Sequence, residues 1–364
     1  MSAPGEPFGV YLHVPFCAHR CDYCAFATWT DRTHLAAAYL AAVRTEIGRA
    51  VAAGMPTATS VFVGGGTPSL VDPTDLAATI AAVPVAADAE ITVECNPDDV
   101  SVGLLEEYRA VGVNRVSLGV QSMVAHVLGS LGRRHGVANV RRAVEAIREV
   151  GLPTFNLDLI YGTVGEDDAD WRRTLEEVLA LDPPHVSAYA LTVEAGTPLA
   201  ERPTEHPDDD VLADRYEVTD RVLDGVGLVN YEISNWARPG HECRHNLLYW
   251  RQQDYLGFGC AAHSHRAGRR WWNVRTPDRY VDLVSRAEPT AAAGETLDGP
   301  TRAFERLELM LRMRDGVPLD ALDGDDLPGL VRRDGDRWVL TVRGRLMANE
   351  ISTRLRVPDP GDAR

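Results

Sequence analysis

The chain has 364 residues, 45% hydrophobic and 25% charged, with 37 Lys plus Arg against 53 Asp plus Glu and a formal charge of -16. That length buries one large core and leaves room for an appended module, the composition needs no extended disorder, and the acidic balance disfavours a broad nucleic-acid contact. No apolar run reaches the ~18 residues of a membrane span, and residues 1–16 lack the basic start and cleavage site of a signal peptide, so a cytoplasmic location is expected.

Apolar, β-rich runs recur at residues 10–14, 60–63, 90–94, 115–120, 155–160 and 186–191, with helical patterns at 34–53, 76–83, 103–110, 137–150 and 171–181. Helices of that length suit right-handed crossovers, so the repeat predicts a parallel sheet covered by helices, an α/β fold. A helix over 212–223 and a strand over 228–233 follow. The polar segments fall at strand ends: CAHRCDYC after the first, GGGTPS after the second, then ECNP, GVQS and LDLIYG at the ends of the next three. Carboxyl ends of parallel strands share one edge, so these five segments meet at one mouth, whether the barrel is closed or incomplete. Pro, Gly and acidic residues thicken at 201–210 and again at 288–299, the better domain boundary. Beyond it, an amphipathic helix over 301–314, a hairpin around Asp334-Gly335 and a helix over 346–355 predict a small winged-helix-like α+β module suited to capping or partner contact.

Three of the six cysteines, Cys17, Cys21 and Cys24, fall within CAHRCDYC, which favours a metal centre in a reducing compartment. Thiolates are soft ligands for iron-sulfur clusters, and three leave one iron open to a small chelating molecule. Zinc with His13 or His19 as fourth ligand matches the usual paired spacing only loosely. Cys95, Cys243 and Cys260 are isolated and read as ordinary buried side chains.

The segments YLHVPFCAHRCDYC, GGGTPS, ECNPDD, NRVSLGVQS, NLDLIYG and NYEISNWA together resemble the radical S-adenosylmethionine (SAM) family that contains oxygen-independent coproporphyrinogen III oxidase. With the carboxyl-terminal module they cover nearly the whole chain. The resemblance implies an incomplete TIM barrel of (β/α)6 type over residues 1–235, a haem-associated connecting region over 236–298 and a small domain over 299–364. It also implies a 4Fe-4S cluster on Cys17, Cys21 and Cys24 that reduces SAM to methionine and a 5′-deoxyadenosyl radical. The electron would come from a flavodoxin-like or ferredoxin-like donor. By the same resemblance, Gly65, Gly66 and Thr67 lie along the amino-acid end of SAM. Glu94 accepts from its ammonium, Arg133 meets its carboxylate with Arg134 as a neighbour able to exchange roles, and Gln121 and Asp158 bond its ribose. Tyr11 and Tyr23 line the cluster and adenosine.

The oxidases of that family resemble C-x3-C-x2-C-x-C and carry a longer leading segment; here Phe26 stands at the fourth cysteine position and ten residues precede Tyr11. HNLLYW, from His245 to Trp250, resembles instead the haem-associated signature of a haem-chaperone branch. That branch implies haem held by His245, with Tyr249 and Trp250 as pocket residues, a haem-accepting partner and a homodimer. Its alternative is coproporphyrinogen III dehydrogenase or another tetrapyrrole-acting enzyme. His263 and His265 form a second candidate ligand pair, Glu232 and Asn235 match polar positions of the family, and Arg266, Arg269, Arg270 and Arg275 form a local patch able to attract an anion.

Overall fold

The structure, a computed structural model, describes residues 6–358. The reading of the amino terminus rests partly on residues 1–5, and the module expected over 299–364 runs past 358; those positions lie outside the described residues. Each of the six apolar runs is a strand: β1 (Phe8–Val14), β2 (Ala58–Gly65), β3 (Val85–Cys95), β4 (Arg115–Gln121), β5 (Thr154–Tyr161) and β6 (His185–Ala190). Along β1 and β4 almost every residue is buried, as in parallel strands covered on both faces. The covering helices are α1 (Ala36–Ala52), α2 (Pro73–Ala81), α3 (Val102–Ala110), α4 (Ala125–Ser130), α5 (Val137–Val150), α6 (Asp168–Leu179) and α7 (Asp209–Asp224). In α5 the buried residues Val140, Ala143, Val144, Ile147 and Val150 recur at helical spacing and face the sheet. Side-chain caps fix the starts: Asp72 accepts from the Thr74 and Asp75 amides, Ser101 from Leu104, and Asp167 and Asp170 cap each other's amides.

Strands β1 to β6 pair in parallel in chain order. The sheet extends at both ends. Beyond β6 lie β7 (Val229–Glu232) and β8 (Asn235–Ala237), both antiparallel, with β8 against β6. After α8 (Arg244–Trp250), β9 (Asp254–Phe258) joins the free side of β1 in parallel, and β10 (His263–Arg266), β11 (Arg269–Asn273) and β12 (Ala291–Thr296) continue antiparallel, with α9 (Pro277–Ser285) between the last two. The outer strands β12 and β7 are not paired with each other, so this 12-stranded sheet is a partial barrel. All six residues of β12 are exposed.

Loop 162–166 after β5 is anchored by a sealed ion pair. Glu166 meets Arg215 of α7 and accepts from the Gly162 amide at 2.7 Å and the Thr163 amide at 3.3 Å; the side chains are 0% and 6% exposed. Beyond β12, α10 (Gly299–Leu311), β13 (Val317–Pro318), β14 (Val331–Asp334) and β15 (Arg337–Leu340) gather their own apolar cluster around Leu311, Val317, Leu322 and Ile351. The hairpin turns at Gly335 as expected. The helix expected over 346–355 is instead two short ones, α11 (Val342–Leu346) and α12 (Ala348–Ser352). The first starts upstream at Val342, where the Thr341 side chain caps it by accepting from the Gly344 amide, and Gly344 packs on the Leu330 carbonyl where a Cβ would collide. Among the described residues no helix is long and apolar enough to cross a membrane.

Candidate functional site

The loop after β1 carries Cys17, Cys21 and Cys24 as free, partly buried thiols. Backbone bonds pin it: the Cys17 amide donates to the Trp29 carbonyl at 3.1 Å and the Trp29 amide to Pro15 at 2.7 Å. Two donors point at its sulfurs, the Thr67 hydroxyl at Cys17 (3.6 Å) and the Arg133 guanidinium at Cys21 (3.7 Å). Burial pushes the Cys17 and Cys24 thiols up, while donors such as the Thr67 hydroxyl favour anionic sulfur. Both histidines of the zinc reading are engaged elsewhere, His13 with the Ala27 carbonyl and His19 with that of Gly132, each at 2.9 Å. Among the described residues no three His, Cys, Asp or Glu side chains converge in ligand geometry, so the loop is a donor set and not a preformed cage. Three free thiols with hydrogen-bond donors on their sulfurs fit an anionic iron-sulfur cluster.

The glycine turn after β2 lies against this loop. Gly65 has φ +112°, and a Cβ there would run into the His13 ring; a Cβ on Gly66 would meet the Phe16 carbonyl at 2.6 Å. Both positions therefore need glycine. The Gly65 amide donates to Glu94 at 3.1 Å. Of the two adjacent arginines, Arg133 turns inward and Arg134 outward. Arg133 donates to Asn96 and to the Gly119 carbonyl, both at 2.9 Å, and its Nε is buried without a partner. Gln121 ends β4 at a bulge with φ 64°, a strained conformation for a residue other than glycine. Asp158 accepts from Ser117 (2.9 Å) and Asn156 (2.7 Å). Tyr11 bonds His13 at 3.1 Å and stacks on Phe62, while Tyr23 packs against the small cluster around Val127 and Leu131.

Burial, reinforced by Asp158, pushes the Glu94 carboxyl up from 4.5 to about 7 against the pull of the Gly65 amide. A carboxyl raised in the folded state makes a contribution that is fully present below pH 4.5 and lost as pH rises through 7. At ~1.4 kcal/mol per unit the ceiling is about 3 kcal/mol. Glu94→Gln is therefore expected to raise the melting temperature over the parent at about pH 8 and hardly at about pH 4, while weakening SAM binding about tenfold or more. Paired melts at the two pH values, with SAM titration, check both halves.

Tyr11, Gly65, Glu94 and Asp158 open onto a cavity of ≈ 1010 Å³, at the upper end of ligand-pocket sizes. The same cavity is lined by Tyr249, Tyr255, His263, His265 and Trp272, by Phe26 of the cysteine loop, and by Arg270 and Arg275. Phe26 is 64% exposed. His245 is placed differently. It is fully buried, its Nδ1 paired with Ser60 at 2.9 Å and its Nε2 with Tyr249 at 2.8 Å, and it does not line the cavity; nor does the partly buried Trp250.

Comparison with known proteins matches residues 11–178 to the Radical SAM superfamily. Across the chain, the heme chaperone HemW of Mycobacterium tuberculosis is 43% identical over 375 residues, covering 96% of this chain and 94% of that protein. HemW of Escherichia coli is 35% identical, covering 95% and 97%. The chain belongs to the HemW family of radical SAM proteins. Coproporphyrinogen III oxidase (HemN) of Escherichia coli shares the fold, with a TM-score of 0.83 at 24% identity over 96% of this chain and 90% of that one.

For this HemW-family chain, the structure gathers Tyr11, Gly65, Glu94 and Asp158 on one cavity, with Arg133 and Thr67 hydrogen-bonded to the sulfurs of the cysteine loop. Most lumen positions of β4, β5 and β6 escaped the sequence reading. Beside Asp158, which it did single out, Arg115 and Ser117 on β4, Asn156 on β5, and His185, Ser187 and Tyr189 on β6 all line the cavity. They form a network: Asn156 donates to both Ser117 and Ser187 at 2.8 Å, and Ser187 donates to Asn235 at 2.7 Å. Polar residues at every second position of otherwise apolar strands were the available signal, since alternate side chains share a face.

Proposed function

We propose that the chain is a haem chaperone that binds haem in this cavity and passes it to a haem-accepting protein. The observation that carries the reading is one continuous cavity lined both by SAM-type residues and by aromatic, histidine and arginine side chains. Phe26, in place of a fourth cysteine, presents an apolar face beside Cys24. The relatives named heme chaperone, aligned over almost the full chain, support the same reading.

Cys17, Cys21 and Cys24 would hold a 4Fe-4S cluster, which when bound supplies an electron and an open iron position for SAM. Glu94, without a cation partner among the described residues, would take the SAM ammonium; Arg133, held by Asn96 and Gly119, would face its carboxylate; Gln121 and Asp158 would orient the ribose. A flavodoxin-like or ferredoxin-like donor, a cytoplasmic location, a homodimer and a winged-helix-like terminal module complete the proposal.

The test is anaerobic cluster reconstitution, haem titration, transfer to an apo-haemoprotein, and a parallel incubation with coproporphyrinogen III and SAM. Stoichiometric haem binding and transfer, without decarboxylation, is the expected result. Decarboxylation accompanied by 5′-deoxyadenosine, with no haem transfer, would overturn it.

A further inference from the structure

Building on the haem-transfer reading, we propose that the haem-accepting protein docks an acidic, partly apolar segment into a second groove, between the antiparallel extension of the sheet and the terminal module. This groove has a volume of ≈ 1110 Å³. Five arginines line it, Arg251, Arg266, Arg302, Arg306 and Arg337, against three carboxylates, Glu6, Asp254 and Asp315. In a chain with a formal charge of -16, that is a local reversal of sign.

Two of the three carboxylates are already engaged. Asp315 pairs with Arg251 at 3.4 Å, and Asp254 accepts from the Ala267 amide at 2.9 Å. Arg337 donates to the Gly316 carbonyl at 2.9 Å. That leaves Arg266, Arg302 and Arg306, which have no ion-pair partner among the described residues. Arg302 and Arg306 are both exposed and stand four residues apart on α10, a spacing at which like charges weaken a helix. Glu305, one turn from Arg302, is held by Arg270 instead and relieves neither.

The rest of the lining selects the occupant. Ala303, Leu307 and Met310 share the arginine face of α10, and Met313 and Pro318 continue it, so the cations stand beside an apolar floor. A phosphate ligand or a nucleic acid calls for cations without carboxylates and methionines among them. A protein segment carrying acidic and apolar side chains matches both parts of the surface, and methionines adapt to such a partner. The position points to the haem acceptor. Gln252 and Gln253, which follow α8, line both this groove and the cavity that holds the SAM-type residues, so one segment of chain separates a docked partner from that cavity. The partition is weakly tied: Gln252 has φ 53°, and its side-chain nitrogen is buried without a partner.

The experiment follows haem transfer from the full-length, cluster-reconstituted, haem-loaded chain to apo-cytochrome b5, chosen for the carboxylates around its haem crevice, by the Soret band over a range of salt. The triple variant Arg266→Glu, Arg302→Glu, Arg306→Glu is expected to transfer about tenfold or more slowly at low salt, with its own haem affinity unchanged, because rim charges steer encounter. The single variants Arg302→Glu and Arg306→Glu, at exposed positions, should each carry part of the loss in a fully folded protein. A matched reversal, Arg142→Glu, Arg172→Glu, Arg343→Glu, at exposed positions that do not line the groove, should stay within about twofold of the parent. A soluble peptide rich in Glu and Leu should slow the parent, and inorganic phosphate at the same ionic strength should not. Unchanged transfer in the groove variants, an equal loss in the matched control, slowing by phosphate alone, or a change confined to self-association of this chain would overturn the docking assignment and leave haem binding standing. A parent protein that binds no haem overturns both.

Discussion

Gly65→Ala is expected to reduce SAM affinity about a hundredfold or more in a protein that still folds. A backbone at φ +112° is costly for any residue with a Cβ, and here the added carbon would also occupy the His13 ring position. His13 cannot swing aside cheaply, because Tyr11 and the Ala27 carbonyl hold its two nitrogens. The turn must therefore relax, which releases the Gly65 amide from Glu94 and moves the carboxylate proposed to take the SAM ammonium. About 3 kcal/mol of combined strain and lost contact corresponds to roughly two orders of magnitude in affinity. Calorimetric SAM titration, with circular dichroism to confirm folding, measures it; affinity close to the parent's would show that the turn does not shape the SAM site.

The largest stability effect is expected at the sealed pair. Arg215→Met leaves the Glu166 carboxylate without its cation in a site where its side chain is 0% exposed, and removing one partner of a buried pair costs about 3–5 kcal/mol. Burial already pushes the Glu166 carboxyl up, with Arg215 pulling it down; without the arginine it rises further. A raised carboxyl loses its contribution as pH rises, so the defect should be greatest at alkaline pH and shrink in acid. Urea denaturation across pH reads this out. The double variant Arg215→Met with Glu166→Leu should recover much of the loss, because no charge remains buried. Equal defects in the single and double variants would mean that packing volume, not charge, dominates.

The barrel strands and cluster loop were legible because their physics is local. Strands buried on both faces read as apolar runs, and three thiols in eight residues admit few alternatives. The antiparallel extension was not legible. HSHR and RRWWN are short and polar or aromatic, and only the pairing of β9 onto β1 makes them sheet. The same extension decides which histidines face the cavity, a matter of which side of a strand or short helix each occupies. Sequence could pair His263 with His265 but could not show that one ring is free and the other sealed, nor that His245 points into the core. Choosing Arg133 over Arg134 likewise required the three-dimensional direction of each side chain.

The exposed outer strand β12 bears on how this protein survives at high concentration. An unpaired strand edge offers its amides and carbonyls to any neighbouring molecule, and a long apolar one invites stacking into aggregates. Ala291–Thr296 instead carries three alanines, a glycine and a threonine, with Glu295 paired to Arg270 at 2.7 Å. The alanines and glycine bring little apolar area or β-forming preference to a foreign strand, and the glutamate adds charge against edge-to-edge growth. Replacing these small residues with valine or isoleucine would turn a quiet margin of the sheet into a nucleation site for precipitation.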